Sequence, residues 1–153
     1  MAVGIVSEAP PSGGNDLQAA EEMLSALGSQ INRFVGDDLR AIGESLALLE
    51  EGGCDVEAAA FRLQTASHNI KGIAGSLGYG LLSDLAQRLS LLCEQAPLSP
   101  RLPVVARLCL EAMTAIVDNR VTGLANGAGD DLITSLDSLS ALIAEEAAEA
   151  ATG

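Results

Sequence analysis

His68 and Lys71 stand three residues apart, and they are the only histidine and the only lysine in the chain. On an α-helix, residues at i and i+3 share a face. The local pattern predicts such a helix. Apolar side chains recur at Val56, Ala59/Ala60, Leu63, Ala66, Ile70, Ile73/Ala74 and Leu77, the spacing of a buried stripe. His68 lies off that stripe, on an outer strip with Phe61, Gln64, Thr65, Lys71, Gly72 and Gly75. Its imidazole is therefore expected to face solvent or a groove. The strip breaks ordinary helix preferences. Each internal glycine costs about 1 kcal/mol relative to alanine, and Phe61 puts a large ring on the wet side unless the helix rotates it into the core. Local rules are broken where something must approach closely. Glycines beside an imidazole leave room for a bulky group on its ring nitrogen and for another protein's surface. An ammonium one turn away neutralises a dianion on that nitrogen. These residue types in this order describe a phosphoryl acceptor.

Other chemistries fit less well. Lys71 to Gly78 is glycine-rich but lacks the Gly-Lys-Ser/Thr order and follows no strand pattern, which argues against a P-loop. Asp37-Asp38 and Asp130-Asp131 read as helix starts or solvated faces, and no EF-hand spacing accompanies them. Cys54, Cys93 and Cys109 form no CxxC pair. With one histidine they do not make a zinc site, and their odd number points to a reducing compartment rather than a disulfide framework. No partnered nucleophile or orienting acid marks His68 as a general base. Gly75 has a second reading, as a position that lets two helices pack closely.

The run His68-Asn69-Ile70-Lys71-Gly72-Ile73-Ala74-Gly75-Ser76-Leu77-Gly78 resembles the motif of histidine phosphotransfer (HPt) domains: a His, a hydrophobic residue, Lys-Gly, small residues, and a Gly ten positions after the His. The resemblance covers roughly residues 30 to 122. It implies an antiparallel four-helix bundle with the histidine exposed mid-helix. It also implies a role as a phosphocarrier without turnover of its own. His68 would take a phosphoryl group from a receiver-domain aspartate and pass it to another receiver. Lys71 would stabilise the group, and Gly72 and Gly75 would give clearance. Phe61, Thr65 and Gly78 would belong to the receiver-docking face. The implied partners are response-regulator receiver domains and a hybrid sensor histidine kinase. Magnesium would come with the receiver, and the chain itself would hold no metal or cofactor. Ile73 occupies a place where a small residue is common. Some members carry a Gln on the following helix that hydrogen-bonds the active histidine. The aligned residue here is Ser90, with Gln87 about a turn earlier. Which of Gln64, Gln87 and Ser90 orients His68 is left open by the sequence. A non-phosphorylated adaptor that keeps the shape is the alternative function. A sensor kinase's own phosphorylated helix pair is disfavoured, because about 75 mostly helical residues follow Gly78.

The elements that must position these residues are all expected to be helices. The chain has 153 residues, 48% of them hydrophobic but only 2% aromatic, so the core must be built of Leu, Ile, Val and Ala. Apolar residues at helical spacing mark helices over 16–27, 30–51, 55–77, 80–96, 101–121 and 130–149, separated by short Gly- or Pro-containing turns. Helix, short turn, helix makes antiparallel neighbours. The expected fold class is all-α: a four-helix bundle with an extra short N-terminal helix and an additional C-terminal helix. The expected organisation is a flexible leader over 1–15, the bundle over 16–122, and a linker with an acidic helix over 123–153. The acids of that helix are Asp130, Asp131, Asp137, Glu145, Glu146 and Glu149, with no base after Arg120. Twenty-one acidic against eight basic residues give a net charge of −13. That balance argues against nucleic-acid binding and against anionic membranes. No apolar run approaches the roughly 20 residues of a membrane span, and residues 1–11 lack a basic signal-peptide start. The expectation is a cytoplasmic protein.

Overall fold

A computed structural model describes residues 16–23, 26, 30–53, 55–122 and 128–152. The expected leader over 1–15, most of the expected linker, and Cys54 lie outside the described residues. All regular structure among the described residues is helical. Residues 16–23 are helical. They are followed by α1 (Ile31–Glu51), α2 (Val56–Ser76), α3 (Gly80–Gln95), α4 (Leu102–Asn119) and α5 (Ala128–Thr152). The last begins two residues earlier and ends three residues later than its periodicity suggests. Its first turn carries Asp130 and Asp131, which complement the helix dipole.

Each of α1 to α4 packs against two of the others, α1 on α2 and α4, α3 on α2 and α4. One core runs between them, with Leu46 from α1, Leu63 and Ile70 from α2, Leu85 and Leu89 from α3, and Met113 from α4. Burying a Leu or Ile side chain completely contributes about 1.5–3 kcal/mol. The C-terminal helix α5 packs on α3 and α4 and adds Leu136 and Ile143 to the same core. Arg88 on α3 donates to both carboxylate oxygens of Asp137 on α5, at 2.7 and 3.3 Å. Arg101 reaches Glu146 at 2.9 Å. On the opposite side, Arg107 of α4 bonds Glu50 of α1. That hydrogen bond holds the Glu50 carboxyl below its ordinary range.

The ends of α2 are set by local chemistry. Asp55 is extended, and its side chain accepts the Ala58 N–H at 3.1 Å, an N-cap. At the other end Gly78 adopts φ +84°, a left-handed conformation that only glycine takes without strain. Its N–H donates to Gly75 O at 3.4 Å, and Tyr79 N–H donates to Ala74 O at 2.8 Å. This is a Schellman stop. The apolar contact that accompanies such stops is available here, since Tyr79 and Ala74 are both fully buried. The stop turns the chain straight into α3 and so fixes α3 beside the outer face of α2.

Cys93 and Cys109 are free and buried. Burial pushes both thiols up to about 12, and in Cys93 the neighbouring Cys109 adds to the effect. Since the thiolate is the reactive form, neither should alkylate in the native state. A Cys54→Ser chain treated with iodoacetamide at about pH 8 is expected to stay unlabelled when folded and to take two labels when denatured. Native labelling would show that α3 and α4 open readily there.

Candidate functional site

Leu63 and Ile70 are fully buried and fix the rotation of α2. At about 100° per residue, His68 lies roughly 140° round from Leu63 and 160° from Ile70. It is accordingly exposed, as are Phe61, Thr65, Gly72 and Gly75, while Gln64 and Lys71 are half-buried. Phe61 is 66% exposed, which settles that α2 is not rotated to bury it.

His68 stands on a ridge between two clefts. Between α1 and α2 lies a cleft of about 590 Å³, lined by Phe34, Asp38, His68, Asn69, Gly72, Ile73, Ser76 and Leu77. Between α2 and α3 lies one of about 420 Å³, lined by Phe61, Gln64, Thr65, His68, Lys71, Gln87, Ser90, Leu91 and Glu94. The second brings together His68, Lys71, Phe61, Thr65 and all three polar residues considered for orienting the imidazole. A group on the His68 ring can thus be reached from either side of α2, with the one ammonium on the α3 side. Lys71 forms no ion pair with a described residue.

The glycines divide by role. A Cβ on Gly72 would meet nothing within 4 Å, so its position is open space beside the imidazole. A Cβ on Gly75 would meet Ser83 Oγ at 3.4 Å. That hydroxyl donates to Lys71 O at 2.9 Å, an anchor between α3 and the backbone of the site. Gly75 thus leaves space for the Ser83 hydroxyl where α3 packs on α2, and with Gly78 it lines neither of these clefts. The Thr65 hydroxyl is committed to Phe61 O at 3.0 Å. Ser90 is 8% exposed and Gln87 is exposed, so across the cleft one candidate orienting group is shielded and the other meets solvent.

Sequence reasoning missed four residues of these clefts: Phe34, Asp38, Leu91 and Glu94. Phe34 and Leu91 are 45% and 44% exposed. With Phe61 they place apolar surface on both flanks of His68. Asp37-Asp38, expected as a helix start or a solvated face, lies inside α1. Asp37 does pair outward with Arg40 at 2.9 Å, whereas Asp38 turns into the α1–α2 cleft. Glu94 accepts a hydrogen bond from Gln64 Nε2 at 3.1 Å. Periodicity along one helix gives no signal for a partner thirty residues away on another.

Among the described residues, no group of three or more His, Cys, Asp or Glu side chains is placed to hold a metal ion, and no helix is long and apolar enough to cross a membrane. Compared with known proteins, the chain matches no family model, no curated protein and no solved structure.

Proposed function

We propose that this chain is a phosphorelay carrier whose phosphoryl acceptor is His68. The observation that carries the reading is the placing of the imidazole. It is exposed on a ridge between two clefts, with Lys71 one turn away and open space at Gly72. The helices then form an antiparallel four-helix bundle of the histidine phosphotransfer kind. Short connections between successive helices support this, as does the closed set of contacts among α1 to α4. Two thiols held unreactive by burial are compatible with a reducing, cytoplasmic setting.

In the proposed reaction the bare nitrogen of a neutral imidazole attacks the phosphorus of an aspartyl phosphate on a receiver domain. The N–P bond forms as the P–O bond to the carboxyl breaks, and the aspartate carboxylate leaves with the electron pair. The proton on the other ring nitrogen stays with the ring. Such transfer depends on alignment and charge neutralisation more than on covalent machinery. Lys71 supplies positive charge on this side, and the magnesium belongs to the receiver. The second transfer is the reverse step toward another receiver. The chain is then a carrier, with no turnover of its own.

The experiment is phosphorylation by a small phosphoramidate donor and, separately, by a phosphorylated receiver domain with Mg²⁺, read by intact mass. One phosphoryl group, acid-labile and base-stable, is the expected result. No uptake from either donor would overturn the reading in favour of a receiver-binding adaptor.

A further inference from the structure

We propose that Asp38 decides which way round a partner sits over His68, by pairing with a basic side chain of the docked receiver domain. The inference rests on the receiver-binding part of the phosphocarrier reading. Three acids of α1 find an arginine within the chain. Asp37 pairs with Arg40 at 2.9 Å, Glu44 with Arg62 at 3.8 Å, and Glu50 with Arg107. Glu51 has no such partner, but it stands exposed at the C-terminal end of α1, where water serves it. Asp38 differs from all four. It forms no ion pair and no hydrogen bond with a described residue, yet it is half-buried and lines the α1–α2 cleft. A partly desolvated carboxylate without a partner is costly. Among the described residues, the cleft's other titratable group is His68, and no ion pair joins the two. A cation from outside the chain completes the site.

The ridge needs such a mark because its apolar surface is two-sided. Phe34 is 45% exposed on the α1 side, and Phe61 and Leu91 are 66% and 44% exposed on the α3 side. Apolar contact is non-directional and would seat a partner either way round. The charges are not two-sided. Lys71 lines the α2–α3 cleft and Asp38 the α1–α2 cleft. The carboxylate of the α2–α3 cleft, Glu94, is engaged by Gln64 at 3.1 Å. A partner that brings an anion over Lys71 and a cation over Asp38 is matched in one orientation. Reversed, it sets like charges against each other. Complementarity of this kind fixes register and rejects wrong partners more than it adds affinity. The aspartyl phosphate of a receiver supplies the anion. Asp38 therefore selects receivers that carry a base on the same face, across the imidazole from that aspartate.

The test titrates the whole chain with a set of unphosphorylated receiver domains in Mg²⁺, at about 50 to 300 mM NaCl, which screens exposed charges progressively. The wild type is compared with Asp38→Asn, Asp38→Lys and, as a control for net charge, Glu51→Gln. Asp38→Asn is expected to weaken the tightest receiver about fivefold at low salt, the upper range for a partly exposed pair. The gap from the wild type should close as salt rises. Asp38→Lys should weaken binding by more than about tenfold, since like charges then meet, and Glu51→Gln should bind as the wild type does. Wild-type affinity in Asp38→Asn at every salt concentration overturns the proposal, and so does an equal loss in Glu51→Gln. A wild type that binds no receiver overturns it whatever the small phosphoramidate does. Self-association that Asp38→Lys abolishes would make the occupant a second copy and overturn it too. Receiver binding that depends on Asp38 in a chain that takes no phosphoryl group would leave the proposal standing and defeat the phosphocarrier reading instead.

Discussion

Replacing His68 by glutamine is expected to reduce phosphoryl uptake to nothing while leaving the fold as stable as before. The two halves have separate causes. His68 is exposed, makes no hydrogen bond to a described residue, and contributes nothing to the core. Surface changes away from caps and buried networks stay within about 0.5 kcal/mol. Glutamine is a better helix former than histidine, so α2 should not fray. Chemically, the amide nitrogen of glutamine is not a nucleophile, and the chain has no second imidazole. Lys71, the one amine nearby, is half-buried beneath the same ridge. A lysine ammonium offers three donors and no acceptor lone pair. Intact mass after phosphoramidate treatment, alongside urea unfolding of both proteins, reads both halves. A His68→Gln chain that still carried one phosphoryl group would move the acceptor elsewhere and leave the two clefts without a purpose.

The helices and the outward direction of His68 were legible because both rest on one-dimensional periodicity. Leu63 and Ile70 sit two turns apart on α2, and whatever lies opposite them must be wet. What lay across a gap was not legible. Ser67 is buried on α2 although it is polar, because its hydroxyl is satisfied by Leu63 O at 2.8 Å within its own helix. Leu108 fits the apolar stripe of α4 but is 48% exposed, because no described helix covers that edge. Glu94 and Asp38 looked like two more acids in a chain of net charge −13. Their value comes from α3 and α1 being carried alongside α2, which only the packing decides. The two glycines of the motif show the same division. The pattern marks both as unusual, but the neighbours separate open space at Gly72 from the Ser83 contact at Gly75. The C-terminal helix offered its apolar stripe without saying what it faced. The Arg88–Asp137 and Arg101–Glu146 pairs show it lying on α3 and α4.

Gly72→Leu should separate stability from function in the opposite sense to a damaging mutation. Gly72 is helical, exposed, and has nothing within 4 Å of where a Cβ would stand. Leucine there relieves the helix of a glycine and should raise unfolding stability by about 0.5–1 kcal/mol. The same side chain projects into the α1–α2 cleft one turn beyond His68, between the imidazole and the apolar surface of Phe34 and Ile73. A small phosphoramidate can still reach the ring from the α2–α3 side, past Lys71, and uptake from it should change little. A receiver domain must lay a whole surface against the ridge, and a lift of even 1 Å moves its aspartate out of line. Transfer from the receiver is therefore expected to fall about 100-fold, the scale set by misplacing reacting groups by such a distance. Urea midpoints measure the first effect, and parallel time courses with the two donors measure the second. Equal loss with both donors would mean that leucine disturbs the imidazole itself. Undiminished receiver transfer would mean that nothing docks over Gly72, and the helix would then carry that glycine at a cost with no return in function.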